Sequence, residues 1–191
     1  MTARVYLALL HYPVLDKDGR VVNTAVTNLD LHDLARLSRT YGLSGYFVVQ
    51  SLPLQKKLIE RLLGYWRTES AGDWNRTRQE AFEVLKLVDS LDEALGRIEA
   101  ETGERPKVIG TSARLRPGVV GFPELRDKMT EGGSWIIVFG TGWGIEPGYL
   151  AERADYMVEP IDPGSGYNHL SVRAAAAIIV DRLVGDRKHH R

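Results

Sequence analysis

Cysteine is absent from the 191 residues, which removes disulfide scaffolds, thiolate metal sites and cysteine nucleophiles together. Net charge is absent as well: 25 Lys and Arg balance 25 Asp and Glu. The molecule as a whole therefore lacks the field of a nonspecific nucleic-acid binder, and any such contact must be a local patch. No long hydrophobic run opens the chain; Val5 to Leu10 is the apolar stretch there, too short for a membrane span or a signal core. These absences predict a soluble, cytoplasmic protein with no membrane contact. The histidines (His11, His32, His169, His189 and His190) are scattered and predict no metal site. A GxSxG elbow is missing, which argues against a serine nucleophile on a strand-to-helix turn.

What is present is a chain with 43% hydrophobic and 26% charged residues, a balance typical of a globular domain. The length fits one domain over residues 1–185, followed by a basic tail, 186–191, expected to be disordered. Val5 to Leu10 suits a buried strand, and DKDGR at Asp16 to Arg20 suits a turn. Asn28 to Tyr41 carries helix-type spacing, with Asn28 and Asp30 as cap-type residues and Gly42 as a stop. Tyr46 to Val49 predicts a strand, and Leu54, Leu58, Leu62 and Trp66 recur on one helical face. Trp74 to Val88 and Leu91 to Ile98 form two more amphipathic segments, the second closed by Gly103 and Pro106. Val108 to Gly110 predicts a short strand before the loop TSARLRPG, Phe122 to Met129 a helix, and Trp135 to Phe139 the most apolar strand. A short helix at Leu150 to Ala154, a strand at Tyr156 to Val158 and an Ala-rich helix at Leu170 to Leu183 complete the series. This alternation predicts an α/β fold with a largely parallel sheet flanked by helices.

Two loops stand out. Gly140-Thr141-Gly142-Trp143-Gly144 follows the most apolar strand, and strands that end in glycine loops are where α/β proteins place ligands. The third glycine of a dinucleotide fingerprint would fall on Ile145, and no Gly-Lys-Ser/Thr follows, so neither familiar phosphate loop fits. The other, Glu159 to Asn168, is longer than ordinary connections of about two to six residues, which suggests the second wall of a pocket. Asn168 and Ser171 either bind a ligand or cap the final helix.

The order FGTGWG followed by EPIDPGSGYNHLSVRAAAAIIVDRL resembles the cofactor-binding half of the SPOUT superfamily, the knotted S-adenosylmethionine-dependent RNA methyltransferases. The stretch Asn28 to Gly42 is similar to that family's first motif, with an Arg six positions before a helix-ending Gly. Together these features span most of the chain and resemble a small bacterial subgroup of predicted RNA methyltransferases. The resemblance implies a C-terminal trefoil knot, S-adenosylmethionine as cofactor, tRNA or rRNA as acceptor, and a homodimer with its site at the interface. It places the cofactor against Thr111 and Ser112, against Gly140, Thr141, Gly142 and Gly144, and against Pro160, Ile161, Asn168, Leu170 and Ser171. Arg36 takes the family's Arg position. Ribose-methylating members carry an Asn six residues before it, where this chain has Asp30. Asp30 is therefore either a general base toward a base nitrogen or a cap of the first helix.

One segment combines cations with aromatics. Between Leu54 and Arg78 basic residues exceed acidic ones by three, and Tyr65, Trp66 and Trp74 lie among them. Lys57, Arg61 and Arg67, together with Arg39, are candidate RNA contacts, with the aromatics as stacking platforms; the alternative is a solvated helix face over core tryptophans. Ala174 to Ala177 present little bulk, which suits close packing against a second subunit as well as simple helix propensity. Two other functional readings compete with the enzyme: a noncatalytic knotted module that binds RNA or protein, and an unknotted α/β nucleotide-binding enzyme.

Overall fold

The computed structural model describes residues 3–185; the basic tail 186–191 lies outside them. The chain opens with β1 (Arg4–Leu10), a small antiparallel hairpin of β2 (Val14–Leu15) and β3 (Val21–Val22), and α1 (Asn28–Thr40). Next come β4 (Gly45–Val49), α2 (Pro53–Trp66), α3 (Glu69–Phe82), β5 (Leu85–Val88) and α4 (Leu91–Thr102). The second half holds β6 (Lys107–Gly110), β7 (Val119–Val120), α5 (Phe122–Thr130), β8 (Ser134–Gly140), α6 (Pro147–Arg153), β9 (Tyr156–Val158) and α7 (Val172–Val184). Seven strands form one sheet in the order β5-β4-β1-β8-β6-β9-β7, and every pairing in it is parallel.

Parallel strands covered on both faces need apolar side chains at successive positions, and β1 shows why its run is unbroken. Val5, Leu7 and Leu9 join one layer with α1, α2, α5 and α7, whereas Tyr6, Ala8 and Leu10 join the other with α4 and α6. Trp135, Ile137 and Phe139 of β8 alternate with Ile136 and Val138 in the same way. Chain reversals carry their own local chemistry. The Asp16 carboxylate accepts from the Asp18 and Arg20 N–H groups at 2.8 and 2.9 Å and closes the β2–β3 turn. Ser90 and Ser171 cap α4 and α7 through their side chains, and Gly103 ends α4 in the left-handed region at φ +81°.

Three local expectations are corrected. The segment from Trp74 to Val88 is not one element: α3 ends at Phe82 and Leu85–Val88 is an edge strand beside β4. On α2 the buried face is Ile59, Leu63 and Trp66, whereas Leu54 and Leu58 are 78% and 54% exposed. A strict four-residue repeat drifts around a helix of 3.6 residues per turn, so it cannot stay on one packed face. The side chain that caps α1 is Thr27, not Asn28 or Asp30. Asp30 sits three residues into the helix and forms a reciprocal pair: its N–H donates to Thr27 Oγ1 at 3.2 Å, and the Thr27 hydroxyl donates back to its carboxylate at 2.6 Å.

Candidate functional site

The sheet places β8 directly beside β1, with Leu10 in register with Gly140, so the glycine loop leaves the sheet at the carboxyl end of its central strands. That is the edge where open α/β sheets hold ligands. The Thr141 N–H donates to the Leu10 carbonyl at 3.2 Å, and the Trp143 N–H donates to the Leu15 carbonyl of the hairpin at 2.9 Å. Gly142 has φ +58°, and a Cβ there would stand 2.8 Å from that Leu15 carbonyl. The loop therefore needs glycine at 142 to lie flat on the hairpin, in addition to any closeness to a ligand. At Gly140 a Cβ would stand 2.8 Å from the Ile145 nitrogen.

Over this edge opens a cavity of about 1220 Å³. Thr111 and Ser112 line it from the loop after β6, and Gly140, Thr141, Gly142 and Gly144 from the loop after β8. Ile161, Asn168, Leu170 and Ser171 line it from the 159–171 segment. Ten of the eleven residues expected at the cofactor thus come together; Pro160 is absent from the lining. The loops are tied to one another: the Thr111 hydroxyl donates to the Val138 carbonyl at 2.8 Å, and the Asn168 amide donates to the Ala113 carbonyl at 2.9 Å. Asn168 thus braces the neighbouring loop, while Ser171 is the N-cap of α7. The Ile161 N–H and C=O make no hydrogen bond within the described residues and remain available to a polar ligand edge. Phe139, Ile145, Leu150 and Ile179 add apolar wall. A mixed cavity of this kind fits a nucleoside whose polar edge meets backbone groups and whose faces meet apolar side chains.

Asp30 is 8% exposed and lines the same cavity. Besides Thr27 it faces Arg173 at the start of α7, whose Nε lies 3.8 Å from Asp30 and 3.6 Å from Asp33. Arg36 is not in the cavity. It is exposed and lines an adjoining groove of about 440 Å³ between α1 and α7, with Asp33, Arg173, Ala174 and Ala177. Nor do Arg39, Lys57, Arg61 and Arg67 line the cavity; all four are exposed on α1 or α2 and its C-cap. Of the three aromatics beside the α2 cations, Trp66 is buried and stacked on Phe82 at 5.7 Å, so it is core and no platform for a base. Tyr65 and Trp74 are exposed.

Thr27, Arg114, Arg116 and Arg173 are singled out by the structure alone, and the first three line the cavity. Two arginines in the same loop as Thr111 and Ser112 are a usable signal. Arg173 left none, because its partners on α1 lie some 140 positions earlier in the chain.

Beneath Asp30 lie two buried polar rings. His11 is fully buried at the end of β1, and desolvation pulls its pKa from 6.5 to about 4, against the opposing Asp30 carboxylate. Its ring nitrogens make no hydrogen bond of ordinary geometry, although the Val49 and Leu9 backbone also favours its charged form. Burial pushes the Tyr46 phenol well above its usual range, with Asp30 acting in the same direction.

The His11 shift sets a pH window. The unfolded chain takes up this proton below pH 6.5 and the folded chain only near pH 4, so stability held above pH 6.5 is lost as pH falls across that interval. The loss attributable to His11 is on the order of 3 kcal/mol. His32, also lowered by burial and by Arg78, contributes in the same direction. Denaturant melts of wild type and His11→Gln from pH 7 to pH 4 should therefore converge in acid by about the His11 share. Parallel curves would show that His11 is not held neutral.

The chain belongs to a family of SAM-dependent RNA methyltransferases, whose family model matches residues 4–185. Its cofactor is accordingly S-adenosylmethionine. A protein of Aquifex aeolicus named only as uncharacterized is 45% identical over 180 residues, 94% of this chain and 87% of its own length. A tRNA (guanine-N(1)-)-methyltransferase of Oleidesulfovibrio alaskensis is 44% identical over 95% of this chain, which spans 42% of that relative. Among solved structures, the A. aeolicus TrmH/SpoU tRNA modifying enzyme superposes with a TM-score of 0.58 at 13% identity, covering 98% of this chain and 77% of that one. That likeness shows the fold, a parallel α/β sheet flanked by helices. The family match displaces the reading as an α/β nucleotide-binding enzyme of another kind. Among the described residues no cluster of His, Asp and Glu could hold a metal ion, and no helix is long and apolar enough to cross a membrane.

Proposed function

We propose that the chain transfers the methyl group of S-adenosylmethionine to a nucleotide of structured RNA, tRNA or rRNA, and that it does so as a homodimer in the cytoplasm. The observation that carries this reading is the single cavity where the three loops of the family resemblance converge over the ends of β6, β8 and β9. The reading also treats residues 1–185 as one domain, since both apolar layers share one sheet. The implied knot belongs to the same proposal: β9 enters between β6 and β7 after β8 has closed the other side of β6, and the loop that follows reaches Ala113.

When bound, S-adenosylmethionine supplies an activated methyl on a sulfonium, so the protein contributes alignment and an exit for the acceptor's proton. Thr111, Gly140 to Gly144 and Ile161 hold the cofactor in this reading, and Asp30 takes the proton. Arg173 faces the Asp30 carboxylate oxygen that the Thr27 hydroxyl leaves free. Arg36 aligns the acceptor from a partner protomer, because its groove is separate from the cavity of its own chain. The guanine-N(1) chemistry of the relative is not carried over, since more than half of that protein lies beyond the matched region.

RNA from a strain lacking the protein, incubated with enzyme and labelled S-adenosylmethionine, should gain label at one nucleotide. No incorporation into any RNA fraction, with cofactor bound, would favour the noncatalytic module.

Burial along α7 decides which alanine can report on a dimer. Ala176 is fully buried in the protein's own core and Ala175 lines the cavity, whereas Ala174 and Ala177 border the α1–α7 groove. Ala177→Arg should give monomers by sedimentation, because it would place an unpaired charge in a close helix contact. Ala176→Arg should unfold the chain instead. Wild-type protein that sediments as a monomer at micromolar concentration would refute the interface.

A further inference from the structure

The cavity is larger than one small ligand needs: 1220 Å³ against the roughly 300–1,000 Å³ usual for such sites. Its charge is also lopsided. Asp30 is the single acid in the lining, whereas Arg114 and Arg116 line it as cations and form no ion pair among the described residues. Their loop is braced before any ligand arrives. Asn168 grips the Ala113 carbonyl, and the Arg114 N–H donates to Ser112 Oγ at 3.0 Å.

Aromatic surface stands at the same mouth. Trp143 lines the cavity with 57% of its surface exposed. On the facing segment Tyr167 is 70% exposed and meets His169 edge to face at 5.2 Å, and His169 is itself a lining residue. Cations without partners beside exposed rings are the chemistry that holds an unpaired nucleotide: guanidinium forks take phosphate, and rings take the open face of a base. A paired base offers no such face, because its neighbours in the stack already cover it.

Resting on the function proposed above, we infer that the loop from Thr111 to Gly118 is the RNA-grasping edge of the site. Arg114 and Arg116 engage phosphates of a single-stranded or loop segment, and Trp143 with the Tyr167–His169 pair stacks its unpaired base. This assigns substrate recognition to the cavity mouth rather than to the α2 cations. Lys57, Arg61 and Arg67 stay outside the cavity lining, and the other basic residues of α2 and α3 are already committed: Lys56 pairs with Asp89, Arg76 with Glu80, and Arg78 lies over Trp66.

The test uses a labelled hairpin RNA with an unpaired loop and a fully paired duplex of the same sequence, both followed by fluorescence anisotropy across a salt series. Wild type should prefer the hairpin. Arg114→Ala with Arg116→Ala should weaken hairpin binding and flatten its salt dependence by about 1.4 in the log–log slope, roughly 0.7 per lost phosphate contact. Trp143→Ala should cost about ten-fold with the slope intact, and Arg114→Lys with Arg116→Lys should keep much of the slope. Calorimetry should show wild-type affinity for S-adenosylmethionine in the double variant. A large loss of cofactor affinity with hairpin binding unchanged would assign the arginines to the cofactor's carboxylate and overturn the inference. Equal binding of hairpin and duplex, or a double variant that binds and methylates RNA like wild type, would also overturn it while leaving the proposed activity standing. Failure of wild type to bind S-adenosylmethionine would instead sink the proposed function and this inference with it.

Discussion

Arg36→Ala should lower single-turnover methyl transfer by a factor of about 100 or more, while cofactor affinity and Tm stay near wild type. The side chain is exposed on α1 and forms no ion pair or hydrogen bond among the described residues, so the fold loses nothing when it is removed. Arg36→Lys should rescue only in part, since an ammonium cannot present a planar fork of donors. Because Arg36 opens onto the α1–α7 groove and not onto its own cavity, its reach into a partner's site is directly testable. Mixing Arg36→Ala protein with a variant whose cofactor loop is damaged should restore about a quarter of the sites, those that combine an intact loop with an intact arginine. No recovery on mixing would place Arg36 outside the reaction across the interface. Asp30 is measured beside it. Asp30→Asn keeps an acceptor for the Thr27 hydroxyl but loses the charge that faces Arg173. A general base predicts a slower rate with an altered pH profile and little change in Tm. A purely architectural Asp30 predicts an unchanged rate. Thr27→Ala, which removes the true N-cap, should cost about 1 kcal/mol of stability.

The second large effect belongs to Gly142. Gly142→Val should weaken S-adenosylmethionine binding by more than ten-fold. A β-branched residue at φ +58° is strained, and its Cβ would press on the Leu15 carbonyl that the Trp143 N–H must reach. The loop must lift off the hairpin, which displaces Thr141, Trp143 and Gly144 from the cavity wall together. None of the seven strands runs through this position, so unfolding should remain cooperative with a modest drop in Tm. Gly64→Ala is the control. Gly64 lies inside α2, a Cβ there meets nothing within 4 Å, and the substitution should leave binding unchanged and raise stability slightly. Equal cofactor affinity in wild type and Gly142→Val would remove the glycine loop from the site.

Local chemistry was legible wherever a few consecutive residues decide the outcome. Val5 to Leu10 and Trp135 to Phe139 announced buried strands, because successive residues must be apolar when both faces of a sheet are covered. The glycine loop, the DKDGR turn and the final helix were visible for the same reason. Ambiguity began where two structures suit one pattern. Leu85 to Val88 continues the apolar spacing of the segment before it, and only pairing with β4 makes it a strand. Trp66 and Trp74 look alike in sequence, yet Phe82 and α2's packed face claim the first and leave the second exposed.

Composition, periodicity and turn chemistry by themselves determined the class of fold, the order of most elements and two of the three loops that wall the cavity, because each depends on interactions within about a dozen residues. Only the tertiary structure decided that β1 and β8 lie side by side, that Asp30 shares the cavity while Arg36 opens onto a separate groove, and that Arg114 and Arg116 face inward unpaired. These facts rest on contacts between segments up to about 140 positions apart, and no local periodicity records which distant strand or helix will be the neighbour.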